Sequence, residues 1–169
     1  MGEKMAYKKK TWVDKLKDSK NLPKMLTFEQ NFPCGKALES WGATTGDSVV
    51  LAPPIEVDEI MRTVPEGYVI TLKEICEKLA AKHNASYCCS LTTGIFINIS
   101  AHAAEELKEK GEKYITPYWR TLKIDGGLNP KYPGGQETQR MQLEKEGITV
   151  IQKGKKYYVK DVERYLMKE

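Results

Sequence analysis

Groups able to act as nucleophile or general base are scarce in this chain, so each can be weighed by its neighbours. There are four cysteines, Cys34, Cys76, Cys88 and Cys89, and two histidines, His83 and His102. Cys88 and Cys89 stand where a helix is expected to begin, and a helix N-terminus lowers a thiol's pKa. On that reading either one is a nucleophile; on the competing reading both are small buried residues at a tight turn. His83 with Cys88 and Cys89 is the nearest approach to a zinc set, but adjacent side chains point apart and a fourth ligand is missing. No metal and no cofactor is therefore expected. His102 lies among alanines and reads as a surface or partly buried residue. Thr71, Ser86, Ser90, Thr92 and Thr93, near helix starts, have hydroxyls and backbone N–H groups suited to phosphate contacts. Lys153, Lys155 and Lys156 would add electrostatic attraction.

Backbone specials concentrate in residues 116–147. The stretch reads Thr-Pro-Tyr-Trp-Arg-Thr-Leu-Lys, a turn at Asp125-Gly126-Gly127, then Leu-Asn-Pro-Lys-Tyr-Pro-Gly-Gly and a polar helix ending Glu146-Gly147. A chain places glycines and prolines so densely where it must hold unusual backbone angles close to something else. The stretch resembles the active-site segment of the alkylguanine-DNA alkyltransferases. That family carries Pro-Cys-His-Arg, a strand, a glycine turn, and Gly-Tyr-x-Gly-Gly before a helix ending Glu-Gly. Pro117 and Arg120 match the ends of the first motif, and Tyr132, Pro133, Gly134 and Gly135 match the second. Glu146 and Gly147 match the third. Tyr118 stands in place of the alkyl-accepting cysteine, and Trp119 in place of the histidine. The resemblance runs over about 55–148, where Val64-Pro65-x-Gly67 precedes a helix, a turn and a second helix.

The resemblance implies a mainly helical fold with small β elements: a winged helix-turn-helix DNA-binding domain of alkyltransferase type over 55–147. Around it stand an N-terminal extension or small subdomain, 1–54, and a C-terminal hairpin and helix, 148–169. In the family the helix-turn-helix enters the DNA minor groove, and the target guanine rotates into a pocket where a thiolate takes its alkyl group. That reaction needs a low-pKa cysteine activated by histidine and glutamate. A phenol, with a reference pKa near ~10, is a poor substitute, and Trp119 cannot accept a proton. Glu146 is left to serve the fold. The family's gap-filling arginine is also missing, since no arginine occurs between Arg62 and Arg120, and its phosphate-pushing tyrosine aligns with Leu72. A branch of the family, the alkyltransferase-like proteins, has tryptophan for the cysteine; its members bind alkylated DNA without repairing it. By the same resemblance Tyr118, Trp119, Tyr132, Gly134 and Gly135 border the base pocket, and Arg120 contacts DNA. Two bulky aromatics in place of smaller side chains predict that Tyr118 and Trp119 fill that pocket, leaving no base-sized opening beside Tyr132.

The elements that must position these residues follow from periodicity. Thr11 is a cap for a short helix with Trp12, Val13 and Leu16 on one face. Residues 19–24 read as a linker, and Phe28, Phe32, Ala37, Leu38 and Trp41 as a helical segment ending at Gly42. Residues 48–52 read as a strand stopped by Pro53-Pro54. Val57, Ile60, Met61 and Val64 mark one helix face, and Thr71-x-x-Glu74 is a capping box for the next helix, whose Leu72, Ile75, Cys76 and Leu79 face the core. The second helix of the pair starts near Ser90 and, from the row Ile95, Ile99, Ala103, Leu107, runs to Lys110. Lys153-Gly154-Lys155 tips a hairpin, and Asp161 caps a final helix.

Charge divides the chain. Residues 1–24 hold 8 Lys and 3 acids, residues 147–169 hold 6 Lys/Arg and 3 acids, and the middle holds 13 bases and 17 acids. Basic ends on an acidic body suit either a nucleic-acid arm and tail or solvated, partly disordered termini; residues 1–10 are expected to be disordered. No apolar run is long enough to span a bilayer and no secretory leader is evident, so a cytoplasmic location is expected. Three readings remain. One is a non-catalytic protein that binds double-stranded DNA. Another is a winged-helix scaffold docking a protein partner or a second copy, favoured by acids at Glu74/Glu77 and Glu105/Glu106/Glu109 within the helix 101–112. The last is an enzyme using Cys88 or Cys89.

Overall fold

Proline, glycine and reciprocal caps set most element boundaries in the computed structural model, which describes residues 10–29 and 31–167. In chain order these are α1 (Trp12–Lys17), β1 (Lys24–Thr27), α2 (Gly35–Ser40), β2 (Ser48–Leu51), α3 (Pro54–Arg62), β3 (Ile70–Thr71), α4 (Leu72–Lys82), β4 (Tyr87–Cys88), α5 (Ser90–Glu109), β5 (Thr121–Leu122), α6 (Gly135–Lys145), β6 (Val150–Lys153) and β7 (Lys156–Val159). Short 3-10 turns occupy Tyr118–Arg120 and Val162–Arg164. The result is a mixed, mainly helical fold with small sheets. The lysine-rich residues 1–9 lie outside the described residues, and with them most of the segment expected to be disordered.

The core is built by α3, α4 and α5. Pro54 takes the first turn of α3, where its missing N–H costs nothing, and Val57, Met61 and Val64 are buried as their spacing predicts. Thr71 and Glu74 form the expected capping box, and Ile75, Cys76 and Leu79 turn inward. Helix α5 runs to Glu109, close to the expected Lys110, and packs along both partners with Ala103 of its apolar row buried. The inward face is Thr93, Ile97, Ser100, Ala101 and Ala104, whereas Ile95 is 50% exposed. Small side chains let the helices approach closely, so the buried stripe is the small one.

Among the described residues three sheets, none of more than three strands, tie sequence-distant segments together: β1-β2-β4, β3-β5 and β6-β7. In the first, β2 runs antiparallel to β1 and parallel to β4, with Val50 opposite Cys88. The expected boundary at residue 54 is therefore bridged by a sheet, and Val50 and Ala52 belong to the same apolar cluster as α3 and α4. Neither β1 nor β4 was expected, since residues 19–24 read as a linker and β4 falls in the turn between the two helices of the pair. The helical segment expected from Phe28 shrinks to the six residues of α2; Asn31 sits at φ 69° and Pro33 follows, so no helix can run through them. Residues 162–164 form one 3-10 turn rather than a helix, with Asp161 at φ 52°. The hairpin is present, β6 and β7 pairing from Val150–Val159 to Lys153–Lys156.

A buried carboxylate braces this architecture. Asp58, 3% exposed, accepts from Ser100 Oγ at 2.5 Å and Thr116 Oγ1 at 2.6 Å, and pairs with Arg62 Nε at 2.8 Å. It joins α3, α5 and the segment that delivers Tyr118. Buried charge is tolerable where each lone pair finds a donor.

Candidate nucleic-acid interface

The stretch 116–147 folds around one carboxylate. Glu146 accepts from Trp119 Nε1 at 2.6 Å, from Arg120 Nε at 2.8 Å and Nη2 at 3.0 Å, and from Gly67 N–H at 3.2 Å. Arg120 also donates to the Val64 carbonyl at 2.8 Å. Burial opposes the Glu146 charge, but the hydrogen bonds from Arg120, Trp119 and Gly67 outweigh it and hold the carboxyl below its ordinary value. Arg120 is thus a brace between the 64–67 loop and the end of α6, and its guanidinium is committed inside the protein rather than offered to DNA.

Tyr118 is 2% exposed and donates its hydroxyl to Glu105 Oε1 at 2.8 Å. Burial, then the Glu105 carboxylate, push the phenol's pKa further up from an already high value. Its ring meets Trp119 and Tyr132 edge-on, with centroids 5.4 and 5.2 Å away. Tyr132 is buried as well and donates to the Thr121 carbonyl at 2.8 Å. Beyond it the chain reverses through Gly134 at φ 78°, where a Cβ would lie 2.1 Å from Thr138 Oγ1, so only glycine can open α6 there.

An open groove of about 480 Å³ lies beside Tyr132. One wall is the start of α5, with Ser90, Leu91, Gly94, Ile95 and Asn98; the other is the segment 122–125 and the loop 129–132. Asn129 Nδ2 donates to Asn98 Oδ1 at 2.9 Å and joins the two walls. The expectation that Tyr118 and Trp119 would close this space does not hold. Tyr118 packs edge-on against Tyr132 with its hydroxyl on Glu105, Trp119 donates to Glu146, and neither ring lines the groove; nor do Gly134 and Gly135. Exposed Lys123 and Lys131 stand on its rim. Lys123, Asp125 and Pro130 also border a smaller hollow that Lys156 lines, so the basic side continues toward the hairpin.

The hydroxyls proposed for phosphate contact separate into two groups. Ser90 lines the groove, and Ser86 is exposed, its N–H donating to Ser48 Oγ at 2.8 Å. Thr71 is occupied by Glu74, and Thr93 donates to the Cys89 carbonyl at 2.7 Å and is buried, so neither faces outward. Thr92 Oγ1 is buried without a partner among the described residues. Lys153, Lys155 and Lys156 are exposed on the hairpin. Lys123 and Lys131 were missed from the sequence because nothing in their local pattern separates them from other solvated lysines.

All four cysteines are buried. Cys34 and Cys89 share one apolar cluster and Cys76 and Cys88 another, so the adjacent pair does point apart. Burial, then the neighbouring Cys89 thiol, push Cys34 up to about 12. The Cys76 thiol and then the Thr93 hydroxyl, at 3.4 Å, draw Cys88 below its ordinary value against burial. Cys88 borders a separate hollow of about 150 Å³ with Trp41, Lys73 and Tyr87. Among the described residues no three potential ligands gather as a metal site, and no helix is long and apolar enough to cross a membrane. His102 Nε2–H donates to the Lys131 carbonyl, 2.9 Å away, and the ring stacks on Trp12, an internal role. His83 pairs with Glu56 at 2.6 Å.

No protein-family model and no curated protein matches the chain. Among solved structures it is similar to S. pombe Atl1 in complex with damaged DNA containing O6-carboxymethylguanine, at 21% identity and a TM-score of 0.48. It is similar also to S. pombe ATL in complex with DNA, at 19% identity and a TM-score of 0.49. Each likeness covers 69% of this chain and 94% of the other, and leaves the function of this chain to be argued from its own side chains.

Proposed function

We propose that this protein binds duplex DNA as a winged-helix reader of the alkyltransferase-like kind, receives an extruded base in the groove beside Tyr132, and transfers nothing from it. The observation that carries this reading is the groove itself. Its volume of about 480 Å³ lies within the roughly 300–1,000 Å³ typical of small-ligand sites. Its walls are largely apolar, its rim carries Lys123 and Lys131, and it opens at the start of α5, the second helix of the helix-turn-helix. A planar base needs apolar faces on which to stack and cations near its flanking phosphates.

The absence of transfer rests on Tyr118. Tyr118 is buried, its hydroxyl proton is held by Glu105 with the pKa raised, and it does not line the groove, so it offers no phenolate to a base there. Glu146 is neutralised by Arg120 and cannot relay a proton to it.

Anisotropy titration of plain and alkylguanine duplexes at several salt concentrations tests the reading. Phosphate contacts alone predict salt-sensitive binding in the range of about 10⁻⁴ to 10⁻⁶ M at physiological salt. A filled pocket would predict no lesion preference; the open groove predicts a preference of about tenfold or more, equivalent to ~1.4 kcal/mol. Equal affinity for both duplexes would remove the base-reading part. Incubation with alkyl-labelled DNA should leave the protein unlabelled; label on Cys88 or Cys89 would replace this reading with an enzymatic one. Of the five acids that favour the docking-scaffold reading, Glu74 caps α4, Glu105 holds Tyr118 and Glu106 holds α1, which leaves Glu77 and Glu109 exposed.

A further inference from the structure

The four thiols fall into two pairs, and the groove beside Tyr132 uses neither. Cys88 ends β4 and shares an apolar cluster with Cys76 of α4, while Cys89 precedes α5 and shares another with Cys34, which precedes α2. The first pair alone borders the hollow of about 150 Å³ on the far side of β4. Cys76 and Cys88 form its inner end, Trp41 and Tyr87 stand beside them, and exposed Lys73 and Ser86 mark its rim. A water molecule needs only ~10–15 Å³ of such space, so a molecule as small as hydrogen peroxide has room beside both sulfurs. The pairs differ in reactivity as well. A hydrogen bond from the Cys76 thiol holds Cys88 below its ordinary value against burial, and the same bond, with burial, pushes Cys76 up. One sulfur is thereby readied as thiolate and its neighbour kept as thiol. In the second pair burial pushes Cys34 up to about 12.

We propose that Cys76 and Cys88 are a peroxide-responsive dithiol, with Cys88 the attacking sulfur and Cys76 the resolving one, whose disulfide locks α4 to the start of α5. The Cys88 sulfur attacks one oxygen of hydrogen peroxide and the O–O bond breaks. Cys88 is left as a sulfenic acid, and the departing hydroxide takes the thiol's proton and leaves as water. The Cys76 sulfur then attacks the Cys88 sulfur, the S–O bond breaks, and hydroxide leaves with the Cys76 proton as a second water. Two thiols are oxidised to one disulfide, and one peroxide is reduced to two waters. A reactive thiol with a resolving partner beside it is the arrangement that makes oxidation reversible. The bond also reaches the groove. It draws two sulfurs closer than packed thiols stand, and Ser90 and Leu91 of the groove wall follow Cys88 within three residues. Formation of the disulfide is independent of the DNA-binding reading above; its effect, a reshaped wall and weaker binding, rests on it.

The test treats the full, reduced chain with a slight excess of hydrogen peroxide, blocks the remaining thiols in denaturant, and reads the digest by mass spectrometry. Two of the four thiols should be lost, with a linked Cys76–Cys88 peptide that dithiothreitol releases. Cys76→Ser leaves Cys88 without a resolving partner and should accumulate a dimedone adduct on Cys88, a product that a merely buried thiol does not give. Cys88→Ser should give neither bond nor adduct, with circular dichroism checking its fold. Four intact thiols in the treated native protein, a bond between Cys34 and Cys89 alone, or an adduct on Cys76 in Cys88→Ser overturns the proposal. Anisotropy on an alkylguanine duplex then compares the two forms. The oxidised protein should bind several-fold more weakly, and dithiothreitol should restore the affinity. Equal binding by both forms overturns the control of DNA binding. No binding by either overturns the DNA reading, while the mass spectrum still decides the disulfide.

Discussion

At the residue scale, Tyr118 and Glu146 show how the same side chains that look catalytic in sequence become structural. Glu146 gathers four donors from three segments and stays ionised against burial. Removing one partner of a buried pair strands the other, which typically costs about 3–5 kcal/mol. Glu146→Ala should therefore lower unfolding stability by about that amount in urea titration, while Tyr118→Phe, which deletes one hydrogen bond to a half-buried acid, should cost only about 1–3 kcal/mol. The pH dependence has a definite sign. Because the folded pKa of Glu146 is depressed, its contribution is fully present above its unfolded value, near 4.5, and is lost as pH falls through the lower folded value. Native stability should thus drop more steeply below pH 4.5 than that of Glu146→Gln, as melting curves across the acid range would show. Parallel acid profiles would mean that the pair contributes nothing.

At the scale of elements, the contacts of α1 and α5 set local stability. A six-residue helix does not persist alone. Here Glu106 extends the Thr11 capping box, accepting from Trp12 and Val13 N–H at 3.1 and 3.3 Å, while Trp12 stacks on His102. Losing such a cap costs about 0.5–2 kcal/mol. Glu106→Ala should accelerate hydrogen exchange in residues 12–17 and leave α4 protection unchanged; unchanged exchange in α1 would show that Trp12 packing alone holds it. Asp58 acts on a larger scale, since its acceptors join α3, α5 and the segment before Tyr118. Asp58→Ala leaves the buried Ser100 and Thr116 hydroxyls without their acceptor, at a cost of about 1–3 kcal/mol each, measurable as a shift of the whole urea transition.

At the scale of the molecule, the fold gathers Lys123, Lys131 and Lys156 along one side of the groove and hairpin from loops far apart in the chain. If each neutralises one phosphate, every lysine replaced by alanine should reduce the slope of log affinity against log salt by about 1. The triple variant should bind more weakly on every sequence without losing lesion preference. A slope that does not change would place the duplex on another face.

The sequence by itself determined the elements whose information is local. The cap at Thr11, the capping box at Thr71, the buried face of α3, the glycine at 134 and the lysine hairpin each follow from residues within a few positions of one another. The sequence also placed Tyr118 and Trp119 together with Glu146 in one stretch. Only tertiary structure decided what these side chains do, because that depends on distant partners. Tyr118 donates to Glu105 and Trp119 to Glu146, and neither ring lines the groove, where volume alone had predicted both. Strands β1 and β4 escaped notice for the same reason: each exists by pairing with β2, 21 to 38 residues away along the register. The inward face of α5 escaped because small residues bury well against close helices, while larger Leu91 and Ile95 were left for whatever lies outside.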